Sequence, residues 1–571
     1  MISTIFMKRI RLIILSLMLV LPGILPLQLK AQDENNFEIS KNLDIYISLF
    51  KELDKNYADK IDPGKLNETA IDAMLESLDP YTVFIPESRA EDYKLITTGQ
   101  YGGIGALIHK QGDYVVISEP YEGFPAQKSD LRPGDRILEI NNKSVKGKTT
   151  DEVSELLKGT AGAALEITIQ REGAQDTIHK TIVREEIKIP DVPYYGMLND
   201  QIGYICLTGF MQNSGAEVKK AFTDLKNNHD LKGIVLDLRG NGGGLLNEAV
   251  NIINIWVDKG QLVVSTKGKD PSKNQDHFTR VAAMDPTIPI AVLVDRSSAS
   301  ASEIVAGAIQ DLDRGVIIGK RTFGKGLVQN VIPLTYNSQV KITVAKYYIP
   351  SGRCIQAIDY FNKNSDGTPE KVPDSLITEF KTKHGRLVYD GCGVDPDIKV
   401  MPEKLSLISQ TLITKFLIFD FANKFYREHA SIDPPDKFTV TDDIYNDFVA
   451  FLKEKDYDYT TASEQALEDL KKDTQKDKYY DNIKQDLADL KTKIMHNKNE
   501  DLITNKDEIM DILKDELVSR YYYQKGRIIA SLETDPDVQK AIDVLKEKDN
   551  YAGILDGSIK TDEKKPGQDQ N

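Results

Sequence analysis

Apolar positions follow several rhythms along the chain, and each rhythm predicts a different kind of element. From Asn35 to about Tyr93 they recur at helical spacing, through Leu43, Ile47, Leu49, Phe50 and Leu53 and then Ile71, Met74, Leu75 and Leu78, which predicts a small helical region. From Tyr101 to Arg171 short β-rich runs (Tyr114–Ile117, Arg136–Ile140, Leu165–Ile169) are separated by glycine turns, with one helical stretch at Thr150–Leu157. Between about Pro190 and Val400, buried-looking strands such as Gly233–Asp237, Ile290–Val294 and Val316–Gly319 alternate with helical runs, the signature of an α/β domain. The remainder turns helical and highly charged. Tyr480, Ile483, Leu487, Leu490 and Ile494 form a short a/d seam, and a second amphipathic stretch runs from Ile509 through Leu513 and Leu517 to Tyr521. Such faces suit an intramolecular bundle or a homodimer. After Asp556 the chain is polar and predicts a disordered tail.

The first residues are a separate object. Lys8, Arg9 and Arg11 precede the apolar stretch Leu12–Leu27, followed by Leu29-Lys30-Ala31, which reads as a signal peptide with cleavage after Ala31; an uncleaved membrane anchor is the alternative. Either reading implies export, to the cell envelope or periplasm.

Composition narrows the classes. A length of 571 residues leaves room for about three or four domains, and 40% hydrophobic with 28% charged residues excludes a fibrous or polytopic membrane chain. The balance of 73 basic against 88 acidic residues, a net charge of −15, argues against a nucleic-acid partner. Three cysteines, Cys206, Cys354 and Cys392, exclude a disulfide framework. The seven histidines are isolated and form no metal-ligand pair of the HExxH kind, and Gly240–Gly244 lacks the lysine and hydroxyl of a P-loop. Neither a metal nor another cofactor is expected.

The richest chemistry lies in the serines after the strand ending at Val294. They sit at a strand-to-helix turn, where unpaired N–H groups at a helix start can stabilise an oxyanion. Ordinary N-capping by Ser300 or Ser302 would use the same residues. A second segment, Thr322-Phe-Gly-Lys-Gly-Leu-Val-Gln329, places Lys325 between two glycines in an apolar setting. Desolvation lowers a lysine pKa, and a neutral amine can take the proton from a serine hydroxyl. A plain turn with a solvated lysine fits the same residues.

Together, Ser298-Ala-Ser300-Ala-Ser-Glu-Ile and Phe323-Gly-Lys325-Gly-x-x-Gln329 resemble the carboxy-terminal processing proteases, or tail-specific proteases. The resemblance implies Ser300 as nucleophile, Lys325 as its base and Gln329 as the residue orienting the lysine. Leu236–Leu245 is similar to the family's glycine loop, which implies an oxyanion N–H from Gly243 or a neighbouring glycine beside that of Ala301; Gly242 stands where the family usually carries proline. Asp311 matches an acidic position of the family and is a candidate supporting residue. Tyr347–Gly352 and Gly393–Asp397 resemble later motifs that close the core.

Tyr101-Gly102-Gly103-Ile104-Gly105-Ala106 resembles the carboxylate-binding loop of a PDZ domain, and Ala126–Ile140 the PDZ stretch after its short helix. The resemblance implies peptide binding by strand addition, with substrates that are proteins or peptides ending in apolar residues. It also leaves room for a regulatory adaptor that relieves a latent resting state. The implied fold class is multidomain α+β: signal peptide 1–31, N-terminal helical region 33–98, inserted PDZ domain 99–188, an α/β crotonase/ClpP-like protease core 189–400, C-terminal helical domain 401–555 and tail 556–571. A non-catalytic PDZ scaffold and an esterase on the same core are the rival readings; the scaffold would lack a dyad member, and the esterase would carry a G-x-S-x-G elbow that is missing around Ser300. Cys354 and Cys392 are open between a disulfide and two separate thiols. Intact-mass measurement of the exported protein separates the two fates of the leader: a cleaved signal gives a mature start at Gln32, an anchor retains Met1.

Overall fold

The computed structural model describes residues 25–89, 98–364, 366–401, 404–494 and 498–559. Most of the leader, at residues 1–24, and the end of the tail, at 560–571, lie outside the described residues. Among the described residues no helix is long and apolar enough to cross a membrane. The chain divides into two units, Met1–Phe84 and Ile85–Asn571. The first contains α1 (Leu25–Asn56) and α2 (Pro63–Glu76). Pro63 opens α2, and the Asp62 carboxylate accepts the Lys65 N–H as its N-cap. The apolar residues that set the helical rhythm of α1, including Leu43, Ile47 and Leu49, are exposed.

The second unit begins with the β-rich module. Strand β1 (Gln100–Gly103) pairs with the later strand Glu185–Lys188. Strands β2 (Ala106–Gln111), β3 (Tyr114–Pro120), β4 (Arg136–Ile140), β5 (Ala164–Gln170) and β6 (Ile178–Val183) form one antiparallel sheet in that spatial order. Helix α3 (Thr150–Leu157) begins where the spacing predicts it, with a capping box between Thr149 and Glu152. Its apolar side, Val153 and Leu157, is buried against Ile104, Ile137, Leu165 and Ile167. Strand β2 lies at the edge of this sheet, in contact with α3.

The core sheet runs β7 (Tyr194–Met197), β8 (Ile202–Cys206), β9 (Gly233–Asp237), β10 (Ile290–Val294), β11 (Val316–Gly319) and β12 (Ile398–Lys399); only the β7/β8 pair is antiparallel. From Ile234 to Leu236 in β9 and throughout β10 successive side chains are all apolar, so both faces of the sheet demand cover. One face, carrying Ile234, Leu236, Ile290 and Val292, packs under α4 (Ser214–Asn228), α5 (Leu246–Trp256) and α6 (Ala301–Asp311). The other face, carrying Val235, Ala291, Leu293 and Ile318, is covered from the end of the chain. There α7 (Pro536–Lys546) and α8 (Lys548–Asp556) bury Val538, Ala541, Leu545 and Tyr551 on it. The last two helices of the region 401–555 thus lie on the core sheet, on the face opposite α4, α5 and α6.

The helical domain proper buries Phe421, Phe448, Leu513 and Leu517 in a core of its own. The second seam suggested for dimerisation is used within the chain and the first only in part, with Leu487 buried and Leu490 exposed. Ile509, Leu513 and Leu517 are fully buried in that core, and the helix Tyr480–Ile494 lies against Ala462–Lys476, with Lys491 3.1 Å from Glu468. This domain also holds the β-rich module. The His109 ring stacks on Phe416 with centroids 4.4 Å apart, Gln127 donates to the Tyr523 hydroxyl at 2.7 Å, and Arg527 pairs with the buried Glu119 at 2.9 Å.

The three cysteines are free thiols, which closes the disulfide alternative for Cys354 and Cys392. Asp311, the candidate supporting residue, stands at the far end of α6 from Ser300. There it receives the Arg353 guanidinium at 2.9 Å and the Ser351 N–H at 2.9 Å, all inside the core. Arg353→Met would strand the Asp311 carboxylate without its cation and is expected to cost about 3–5 kcal/mol, measured by urea unfolding of the full chain.

Candidate active site

The α/β rhythm brings three loops to the C-terminal ends of adjacent parallel strands. The glycine loop follows β9, the serine turn follows β10, and the lysine loop follows β11. Loops at this end of such a sheet are where α/β proteins build their sites.

The serine turn discriminates among its hydroxyls. Ser298 and Ser302 are fully buried, and both are spent on the glycine loop, Ser298 Oγ donating to the Leu238 carbonyl and Ser302 Oγ to that of Asn241, each at 2.8 Å. Ser297 is exposed, its N–H on the Asp295 carboxylate. Ser300 alone combines partial exposure with a strained backbone, φ 57° and ψ −112°, immediately before the first residue of α6. Strain of this kind costs on the order of 1–3 kcal/mol and persists only where surrounding contacts over-determine it. Here two contacts do so. The fully buried Tyr347 hydroxyl donates to the Ser300 carbonyl at 3.1 Å, and the Ser300 N–H donates to Glu303 Oε2 at 2.8 Å.

Glu303 is the hub. Its carboxylate also accepts the Lys325 N–H at 2.9 Å, the Gly324 N–H at 2.7 Å and the Thr322 hydroxyl at 2.5 Å. Complete burial pushes its pKa up to about 7, against the pull of these four donors. Thr322 Oγ1 in turn accepts the Val394 N–H at 2.7 Å, which brings in the segment Gly393–Asp397. The lysine loop is thereby docked on the serine turn. Gly324 has φ +87°, and a Cβ there would lie 2.4 Å from that of Ala357, so glycine is needed for the chain to pass. Lys325 itself is half-buried.

Gln329 lies on the strand Leu327–Pro333, and its Nε2 donates to Thr343 Oγ1 on the neighbouring strand at 3.2 Å. Gly243 is pressed against the serine turn. A Cβ on it would sit 2.8 Å from both Ala301 N and Ser300 Cβ, so any side chain would fill the space beside the serine. In this form the Gly243 N–H donates to Asn241 Oδ1 at 2.9 Å, so the amide predicted for an oxyanion is engaged within the loop. Asn241 is fully buried and ties the loop down further, its Nδ2 on the Leu207 carbonyl and its own carbonyl accepting the Ala299 N–H.

The five residues predicted for peptide binding run from β1 into the turn before β2. The carbonyls of Gly102, Ile104 and Gly105 accept N–H groups of Gly159, Ala126 and Tyr121 at 2.9, 2.7 and 2.9 Å. In trans peptides the N–H points opposite to the preceding carbonyl, so the amides of Gly103, Gly105 and Ala106 are turned away from those partners. Tyr101 packs beside them with Lys158 6.0 Å over its ring. Partly buried Ala106, Ile108 and Leu156 give this region an apolar lining.

Sequence reasoning assigned no role to Glu303, Tyr347 or Asn241. Glu303 had a visible signal, since Ser300-x-x-Glu303 is the spacing of a capping box. Tyr347 and Asn241 stood in stretches that resemble family motifs, yet only tertiary packing brings their side chains to the serine turn.

Comparison with known proteins agrees with this arrangement. Peptidase family S41 matches residues 201–360, a PDZ domain residues 116–171, and the description "Probable PDZ-protease, C-terminal helical domain" residues 408–545. The carboxy-terminal-processing protease of Bartonella bacilliformis is 35% identical over 342 residues, covering 59% of this chain and 76% of the relative. A probable CtpA-like serine protease of Staphylococcus aureus is 36% identical, covering 60% of this chain and 68% of the relative. Among solved structures, a photosystem II D1 C-terminal processing protease is 30% identical, covering 63% of this chain and 93% of that one at a TM-score of 0.35. A serine-type peptidase with a PDZ domain is the class so defined. The chain belongs to peptidase family S41, among the carboxy-terminal-processing proteases.

Glu303 offers a test of sign. Its folded pKa near 7 stands above the ordinary value of 4.5, so the stability it contributes is complete below pH 4.5 and is lost as pH rises through 7. Unfolding midpoints of the wild type are therefore expected to fall more between pH 5 and pH 8 than those of Glu303→Gln. The same variant cannot accept all four donors, and peptide cleavage should drop by about 10²-fold.

Proposed function

We propose that the protein acts outside the cytoplasm, in the cell envelope or periplasm, as an endopeptidase that captures protein C-termini in its PDZ groove and cleaves upstream through a Ser-Lys dyad. Ser300 Oγ attacks the scissile carbonyl and Lys325 Nζ takes its proton. Gln329 orients the amine through its Oε1 while Nε2 stays on Thr343. The tetrahedral oxyanion is met by the Ala301 N–H and by an amide of the glycine loop, once that amide leaves Asn241 Oδ1. Each such donor is commonly worth about 3–4 kcal/mol of transition-state stabilisation. Collapse of the tetrahedral intermediate breaks the C–N bond as Lys325 Nζ gives its proton to the leaving amine; water, giving a proton to Lys325, then attacks the acyl-enzyme, and that proton passes to Ser300 Oγ as the ester bond breaks.

The observation that carries this reading is the shared carboxylate oxygen. Glu303 Oε2 accepts the backbone N–H of Ser300 and that of Lys325, which joins the two segments whose side chains the dyad needs. The PDZ part rests on the open edge of β2 and on the outward amides beside Gly105, which suit a terminal carboxylate and an added strand. For a homodimer, exposed apolar residues stand on α1, at Phe37, Leu43, Ile47 and Leu49, and at Leu490 of the first C-terminal seam, whereas Ile509, Leu513 and Leu517 are buried within the chain.

The test uses the mature full chain and an unfolded substrate ending in apolar residues, with a matched substrate whose C-terminus is amidated. Ser300→Ala is expected to abolish cleavage, Lys325→Ala to lower it by about 10²–10⁴-fold, and amidation to weaken cleavage by the wild type. Cleavage that survives Ser300→Ala removes the nucleophile, and indifference to amidation removes recognition through the terminus.

A further inference from the structure

The glycine loop carries Gly240, Gly242, Gly243 and Gly244 within five residues, so its backbone has little conformational preference of its own. A loop that must present an amide to an oxyanion needs anchors from outside. Asn241 is the upper anchor, and Arg239 is the lower one.

Arg239 follows the last residue of β9 by two positions and precedes Gly243 by four. Its guanidinium is engaged at every nitrogen. Nε and Nη2 form a fork on Asp237, with Nη2 2.6 Å from Oδ2, and Nη1 reaches Asp535 and Asp537, each at 2.9 Å. These last two carboxylates come from the start of α7, some three hundred residues later in the chain. Asp535 is also the N-cap of that helix, accepting the Asp537 and Val538 N–H groups.

Holding α7 in place does not explain this arrangement. The helix is already seated on the sheet through Val538, Ala541 and Val544, all essentially buried. Three carboxylates around one guanidinium leave a surplus of negative charge. Among the described residues Asp537 Oδ1 is buried without a hydrogen-bond partner, and burial together with the Asp535 charge raises its pKa. Buried like charges are costly, so what the three carboxylates accomplish is to immobilise the arginine from both sides.

We propose that Asp535 and Asp537 are positioning residues for the cleavage reaction: through Arg239 they hold the base of the glycine loop, so that the C-terminal helix completes the oxyanion side of the active site. This rests on the serine-peptidase reading above. Neither aspartate touches substrate. Loss of the clamp should leave peptide capture intact and slow acylation, because the loop amide then reaches the oxyanion from an ensemble of positions rather than from one.

The test measures kcat and KM for a quenched peptide with an apolar C-terminus, with urea unfolding in parallel. The variants are Asp535→Asn, which keeps an oxygen for the helix cap, Asp537→Ala, their combination, Asp537→Glu, and each in an Arg239→Ala background. The combination is expected to lower kcat at least tenfold with KM changed less than twofold. It should add nothing once Arg239 is alanine, and Asp537→Glu should recover part of the loss. An unchanged kcat overturns the proposal, as do losses that add fully to that of Arg239→Ala, or losses matched by unfolding under the assay conditions. Ser300→Ala is run beside them: cleavage that survives there counts against the nucleophile, whereas an unaffected kcat in the aspartate variants counts against the clamp alone.

Discussion

The Glu303 carboxylate is taken wholly out of water, and in that position it can be satisfied only by donors from the protein. One donor comes from the serine turn and three from the lysine loop, so two segments that follow different strands are drawn onto a single side chain. The strained backbone of Ser300 follows from the same burial. Its N–H is fixed on Glu303 and its carbonyl on Tyr347, which leaves the residue between them in a conformation it would not choose alone. Gly243 can then approach the turn closely, and the space beside the serine is set by what surrounds the carboxylate.

That local arrangement depends on a sheet whose two faces are closed by different parts of the chain. Helices from within the core cover one face, and the last helices of the chain cover the other. The consequence reaches the site, since the start of α7 carries the two aspartates that meet Arg239. The same C-terminal region also grips the PDZ module through Arg527 and Tyr523, in the helix Lys506–Ser531 that leads toward α7. Peptide capture and the glycine loop are therefore held by neighbouring stretches of one segment. The PDZ module is not a tethered accessory; its Glu119 is buried against the helical domain.

Much of this was legible in the amino-acid sequence, because it depends on short-range order. Short β-rich runs between glycine turns place β3, β4 and β5, a Thr-x-x-Glu cap starts the helix at Thr150, and continuous apolar runs mark β9, β10 and β11 as buried strands. The spacing of serine, lysine and glycines carried the resemblance to the family. What local pattern could not reveal was which residues meet across hundreds of positions. By residue type Ser298 and Ser302 are equivalent to Ser300; the resemblance to the family singled out Ser300, and the hydrogen bonds of the other two to the glycine loop supply the physical reason. Asp311 has the residue type of a supporting acid, yet the fold gives it Arg353 instead of the serine. The amphipathic seam at Ile509–Tyr521 reads equally well as a dimer face or a core face, since periodicity records that a helix has an apolar side and not what covers it. Tertiary structure decided these cases because hydrogen bonding and burial are properties of the packed neighbourhood, and the neighbours of Ser300, Arg239 and Asp311 come from strands and helices far away along the chain.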